Sequence, residues 1–314
     1  MSRFTLPRFD LSPAAATLVI VITAVGFGLV PVFVRELQGL GTGPATIALY
    51  RYVISVLVLL PFLPRERHKR GKALLLAGAG AVVGLSVIGY LEAISNAPLA
   101  AVGVVYMSYP AFAALFALVL LKQALNWRTF AAIGLVLGAA ALLLDPAALS
   151  PDALAALLWA IPAPIAFGFL IVVLSGMGGD LNPLERAVCT LIGAIAGLLP
   201  LALFEGGGSV LPSSSNELWL IVLMGLVTAL IPQIMYTIAC QKIGPMRTAA
   251  AGSFELPTMF LIGWLVFGEA FGALELVCAV LVLSAILVAP APALASAPAP
   301  AVNPAKDEPA MQSG

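Results

Sequence analysis

From Ala14 to Val288 the chain is written in apolar runs of about twenty residues, parted by short polar stretches. Ten such runs can be drawn, at 14–34, 45–63, 73–94, 99–121, 128–145, 153–175, 184–204, 217–239, 248–267 and 271–289. About 20 apolar residues are what a helix needs to cross the hydrocarbon core of a bilayer. The runs are continuously apolar instead of alternating, which excludes lipid-facing barrel strands. Because a helix satisfies its own backbone in hydrocarbon, the pattern predicts an all-α integral membrane protein of ten transmembrane helices. Arg3 and Arg8 precede the first run as they would in a signal peptide. That run is too long for one and lacks a small-residue cleavage site, so it reads as a retained helix.

A second pattern lies over the first. Tyr90, Ala93, Pro98 and Pro110 are echoed by Tyr236, Ala239, Pro245 and Pro257, with one residue of slippage. Such self-similarity is the mark of a duplicated unit. It divides the chain into a first five-helix repeat at 1–146 and a second at 147–289. With five helices in each, the second copy enters the membrane from the opposite side, and inverted repeats are typical of secondary transporters. Gly43-Pro44 and Asn182-Pro183 open corresponding runs, and proline suits a helix start, where its missing N–H has no partner to lose.

Composition and charge sharpen this. Hydrophobic residues make up 61% of the chain, charged residues 10%, and mean hydropathy is +1.09, where a soluble domain carries about 25% charged residues. With an N-terminus inside, 13 of the 15 basic residues fall in cytoplasmic segments, and only Arg35 and Arg51 lie toward the outside. Lys and Arg are retained on the cytoplasmic side, so both termini are expected there. On this count the Ser95–Pro98 break faces outward and its copy, Gln241–Pro245, faces the cytoplasm. Zero net charge gives nothing to attract nucleic acid, and Cys189, Cys240 and Cys278 lack metal or disulfide spacing. Residues 290–314, rich in alternating Ala and Pro, read as a disordered cytoplasmic tail.

Each repeat ends in a recognisable manner. The first runs Ala93…Pro98…Pro110 and then LVLLKQALNWRTFAAIGLVLGAAALLL; the second runs Ala239…Pro245…Glu255-Leu256-Pro257 and then LVFGEAFGALELVCAVLVLSAILV. On these residues the chain resembles the drug/metabolite transporter superfamily, in the branch built from two EamA-type repeats. The family pattern places a Gly-Glu at a helix end about 13 residues after the mid-helix proline. Gly268-Glu269 matches it, and Lys122-Gln123 departs from it in the first repeat. The resemblance implies a multi-pass transporter of the bacterial inner membrane, exporting amino acids or other small polar or amphipathic solutes. It also gives Glu269 a structural or gating role.

Ionisable groups within spans are the first candidates for chemistry, since a charge in hydrocarbon is costly. Glu255, two residues before Pro257, reads either as a structural acid or as a proton carrier and ligand for a substrate amine, burial disfavouring its charged form. Arg51, seven residues into the second span, either snorkels to the interface or holds a substrate carboxylate with its two-pronged guanidinium. Glu92 can pair with Arg51, which would make both structural. Arg35 with Glu36 reads as an interface anchor. Among aromatic residues, Phe27, Tyr50, Tyr90, Tyr106, Tyr109, Trp159, Phe167 and Tyr236 lie on helices that line the cavity in the family. Such rings serve either as substrate contacts or as belt anchors, and Tyr106 and Trp159, deepest in their spans, are the leading ones. Pro31, Pro110, Pro162, Pro164 and Pro257 read as hinges or fixed kinks, with Pro31, Pro110 and Pro257 taken as the hinges. Gly134 and Gly138 have the spacing of a close helix crossing. His68 reads as a solvated charge in a basic loop.

The chain has no Walker-type phosphate loop, so coupling to ATP within it is not expected. A lone His in a loop gives no convergent cluster for an intramembrane enzyme, and no polar stripe marks a channel. The expected protein is therefore a secondary transporter, with proton coupling through Glu255, and a facilitator or exchanger without coupling as the alternative. A lipid-handling subunit is the more distant one. Its partners are a small-molecule substrate and the bilayer, with a homodimer left open; no cofactor or metal is expected.

Overall fold

The computed structural model describes residues 11–143, 149–205, 212 and 214–290. Arg3, Arg8, Asp145, Lys306 and the tail beyond residue 290 lie outside the described residues, so their expected places have no structural counterpart here. All regular structure among the described residues is helical. The first repeat holds α1 (Pro13–Gly28), α2 (Val30–Gly39), α3 (Pro44–Leu59), α4 (Arg70–Asn96), α5 (Leu99–Tyr106), α6 (Tyr109–Leu121) and α7 (Trp127–Leu143). The second holds α8 (Pro151–Ala160), α9 (Pro162–Val172), α10 (Pro183–Glu205), α11 (Ser215–Gly225), α12 (Ile231–Gly252), α13 (Glu255–Phe267) and α14 (Ala273–Val288). By length and apolarity seven helical runs can cross a membrane, and two shorter apolar helices, Trp127–Leu142 and Ala273–Val288, accompany them.

One of the seven, Ser215–Phe267, is 53 residues long. Straight, it would measure about 80 Å at 1.5 Å per residue, far more than a bilayer's thickness. It is broken at Gly244, whose φ of 71° and ψ of 172° are open to glycine and not to other residues. The equivalent break in the first repeat is at Ala97-Pro98, both extended. There the chain doubles back. Tyr90 lies six residues before Asn96 and Tyr106 seven after Leu99, yet their rings are 4.6 Å apart, which requires α4 and α5 to run side by side in opposite directions. The first copy of the echoed motif is thus a tight reversal, and its second copy is broken at Gly244.

Several predicted spans are not single helices. The run at 14–34 is interrupted at Leu29, that at 99–121 at Met107-Ser108, that at 153–175 at Ile161 and that at 248–267 at Ser253-Phe254. Pro31, Pro110, Pro162 and Pro257 each stand in the first turn of the helix that restarts after a break. In that turn proline removes no hydrogen bond and clashes with no preceding carbonyl. A five-residue π-helical stretch, Leu226–Leu230, joins α11 to α12, and another, Val173–Met177, follows α9.

The halves pack by exchange. α1 lies on α12 while α8 and α9 lie on α4, α3 and α10 cross, and α7 pairs with α14. The tightest crossing is α4 on α10, and glycine makes it. A Cβ at Gly80 or Gly84 would meet the backbone of Thr190 or Ala194, and one at Gly193 or Gly197 the backbone of Ala77 or Ala81. Gly134 and Gly138 do not do this work. Nothing lies within 4 Å of a Cβ at either, because α7 turns Ala132, Val136 and Ala139, not its glycines, into the core.

Polar bonds between the halves then fix the two ends. At one end Glu205 accepts from the free N–H groups of Ala45 at 2.9 Å and Thr46 at 3.2 Å, capping α3. Glu217 there accepts from Thr42 at 2.8 Å. Arg35 is no interface anchor. Its Nη2 pairs with Glu269 at 3.1 Å, its Nε donates to the Ile94 carbonyl, and its guanidinium lies 3.9 Å from the centre of the Phe267 ring. Glu269 also accepts from the Leu99 N–H. At the other end Lys69 pairs with Glu185 at 2.9 Å, and His68, read as simply solvated, sits 2.9 Å from Asp180.

Candidate substrate cavity

The interruptions gather around one narrow cavity, with about 60 Å3 of room for the centres of water-sized molecules. Non-helical backbone at membrane depth is tolerated where it faces protein or lines a water-accessible space. Phe27 and Val30 flank the break at Leu29, Tyr106 precedes the one at Met107, Glu255 follows the one at Ser253, and Ala229 belongs to the π-helical stretch; all five line the cavity. So do Arg51, Tyr90, Phe167 and Gln233.

Glu255 is the first residue of α13 and only 5% exposed. Among the described residues no hydrogen-bond donor reaches its carboxylate, and no cation forms an ion pair with it at contact distance. Arg51 is near enough to act on it through space. The Arg51 guanidinium does not snorkel. Nε and Nη2 donate to the Thr228 carbonyl at 3.2 and 2.9 Å, in the π-helical stretch, where the ordinary helical bonding register is shifted. The rings of Phe27 and Tyr52 stand 5.7 and 5.6 Å from its carbon, within the range of cation–π attraction. The expected partner Glu92 is elsewhere: its carboxylate accepts from Asn96 at the exposed end of α4.

Behind these charges the rings form a chain. Tyr90 touches Tyr106 at 4.6 Å, Tyr106 touches Tyr109 and Phe167 at 5.6 and 5.7 Å, and Tyr109 meets Phe167 edge-on at 5.0 Å. Phe167 reaches Tyr236 at 6.2 Å, and Tyr236 reaches Phe27 at 6.0 Å. Six of the eight aromatic residues singled out from the sequence are in this cluster, drawn from α1, α4, α5, α6, α9 and α12. Aromatic contacts of this kind contribute about 0.5–1.5 kcal/mol each beyond buried area. Tyr109 is wholly buried and donates to the Ala249 carbonyl at 3.0 Å, and Tyr90 directs its hydroxyl at the Met259 sulfur. The buried Tyr236 hydroxyl has no hydrogen-bond partner among the described residues.

Two of the eight are not in the cluster. Trp159 is 74% exposed and turned outward, so it does not join the cavity. It lies where α8 crosses Gly89, and it is the Trp159 backbone that makes that contact. Tyr50 lies on α3 beside Arg51 but not on the cavity wall. Gln233, which sequence reasoning passed over, does line it, and its amide nitrogen is buried without a partner. The signal was there: a lone amide beside Pro232 in an otherwise apolar run.

A broken-helix cavity between two packed halves, walled by rings and holding separated charges, belongs to a multi-pass membrane protein with an interior cavity. Comparison with known proteins narrows the class. The model of the EamA-like transporter family matches residues 14–145 and again 154–289. The chain belongs to that family of membrane transporters, with two copies of its repeat. A solved protein structure superposes with a TM-score of 0.68 over 88% of this chain and 96% of its own, at 16% identity, and at that identity it speaks for the fold alone. No curated protein sequence matches the chain.

Proposed function

We propose that this protein is a secondary transporter that exports small amphipathic metabolites, amino acids among them, by alternating access. On this reading it has ten transmembrane helices in two inverted repeats, with both termini in the cytoplasm of a bacterium and the body in the inner membrane. The observation that carries it is Glu255, a buried carboxylate at a helix break, without a donor of its own, on the wall of a cavity that also presents Arg51 and the unpartnered Gln233 amide. Buried polar groups left without protein partners are costly, and a ligand or proton that satisfies them is favoured. Arg51 would take a carboxylate, Glu255 an amine or a proton, and Tyr90, Tyr106 and Phe167 the apolar body of the solute. Pro31, Pro110 and Pro257, standing where helices already restart, would be the places that bend.

A second reading rests on the electrostatic reach of Arg51 to Glu255. If the two act as standing counter-charges, the carrier exchanges solutes without moving protons. Proteoliposomes separate the two. The wild type is expected to accumulate labelled solute against a gradient when a pH difference is imposed. Glu255→Gln should keep solute counterflow and its melting temperature but lose the response to pH. Wild-type coupling in Glu255→Gln would overturn the assignment, and a wild type blind to the pH difference would establish the exchanger.

A further inference from the structure

On the outer surface of the α4–α10 crossing, lined by other residues than the transport cavity, lies a second concavity, an open groove of about 260 Å3. Its wall is Ala73, Leu74 and Ala77 of α4 with Ile192 of α10, its floor includes the buried Cys189, and Leu63 closes one side. A single charge lines it, Arg70, at the first residue of α4. Arg70, Ala73, Leu74 and Ala77 are spaced at i, i+3, i+4 and i+7, so one helix face carries the charge at its end and a slot beneath it.

The surroundings add charge of the same sign. Arg65 and Arg67 lie in the turn between Leu63 and Arg70, while Lys72, two residues into α4, stands about 200° round the helix from Arg70 and faces Gly179. All four cations are exposed, and none makes an ion pair among the described residues. Their neighbours differ: Lys69 is bound to Glu185 and Glu66, and His68 to Asp180 and Glu66. The acids nearby are thus engaged with Lys69 and His68, while Arg70 on the groove wall, and Arg65 and Arg67 just before it in the chain, are open. A basic lip over an apolar slot at the end of a membrane helix is complementary to a molecule with an anionic head and a hydrocarbon chain.

We propose that this groove is a site for an acidic phospholipid, its phosphate on Arg70 with Arg65 or Arg67, and one acyl chain along Leu74, Ala77 and Ile192. The site adjoins the transport machinery. On α10, Cys189 and Ile192 face the groove while Thr190, Leu191 and Ala194 face the cavity; on α4, Ala77 faces the groove and Gly80 and Val83 the cavity. Because glycine holds this crossing backbone to backbone, a chain seated in the groove leans on the wall of the cavity one helix away. Lipid composition would thereby bear on transport, a claim that does not need the identity of the solute or the role of Glu255.

The test is native mass spectrometry of the delipidated full chain in neutral detergent, titrated with phosphatidylglycerol or phosphatidylcholine of equal chain length. The wild type should prefer phosphatidylglycerol by about fivefold for each engaged cation. Arg70→Gln should lose most of that preference and Arg70→Lys keep it. Ala73→Trp, which fills the slot, should weaken both lipids. Equal binding of the two lipids by the wild type overturns the proposal, as does a preference that Arg70→Gln leaves undiminished. Displacement of phosphatidylglycerol by millimolar inorganic phosphate would overturn it too, by revealing a bare anion site. If Ala73→Trp does not fold, Leu74→Phe fills the same slot from an exposed position.

Discussion

Lys122 and Gly268 end the same helix of the two repeats in the same left-handed turn, with φ of 52° and 67°. In both, the next N–H reaches back six residues, Gln123 to Ala117 at 3.2 Å and Glu269 to Gly263 at 2.9 Å, one residue further than in a Schellman closure. Lys122 carries a Cβ into a conformation that costs an L-residue roughly 1–2 kcal/mol. Lys122→Gly is therefore expected to raise stability by about 1 kcal/mol, read as a higher melting temperature in detergent; no rise would mean the turn relaxes around lysine. The next position differs in consequence. Glu269 ties Arg35 and Leu99 together, whereas Gln123 is exposed, so the clamp exists at one end of the molecule only. At this scale Glu255 and Arg51 were legible because a charge in an apolar run stands out. Trp159 was misjudged because depth along a span says nothing about which way a side chain points, and α8 beyond Asp152 is apolar on all sides.

The elements show the same division between what spacing tells and what it omits. The long apolar runs and the echoed breaks were readable, since length and the Pro98–Pro245 echo encode them. The breaks at Leu29, Met107, Ile161 and Ser253 were foreshadowed by their prolines, though as kinks and not as restarted helices. Close packing was assigned to the wrong glycines. Gly80-Ala-Val-Val-Gly84 and Gly193-Ala-Ile-Ala-Gly197 carry the same four-residue spacing as Gly134 and Gly138, and only a partner helix decides which pair is used. Gly193→Ala places a methyl against the Ala77 carbonyl. Such overpacking typically costs about 1–3 kcal/mol, so its melting temperature should fall. Gly134→Ala meets open space and should hold or gain up to about 1 kcal/mol from helix propensity. If both variants melt alike, the α4–α10 crossing is not as tight as its backbone contacts imply.

In the whole molecule the repeats complete each other. α1 and α12 pack as α8, α9 and α4 do, and the α3–α10 and α7–α14 pairs lie between the halves, an exchange that follows from the repeat and was legible in outline. The cavity was not, since it is assembled from residues as distant in sequence as Phe27 and Glu255. Charge sorting predicts which face meets the cytoplasm. Arg65→Cys should react with an impermeant maleimide only from the cytoplasmic side and Leu40→Cys only from outside. The native Cys189, Cys240 and Cys278 are buried and give little background. Reaction of both variants from one side would refute the crossing of the 45–63 run on which the charge-sorted topology of the first repeat rests.

The capping of α3 by Glu205 has a consequence for biosynthesis. The N–H groups of Ala45 and Thr46 emerge from the ribosome 160 and 159 residues before the carboxylate that will accept from them. At roughly 5–20 residues per second, that is about ten to thirty seconds of translation. During that interval α3 of the nascent chain has an open end, and it closes only when the last turn of α10 arrives.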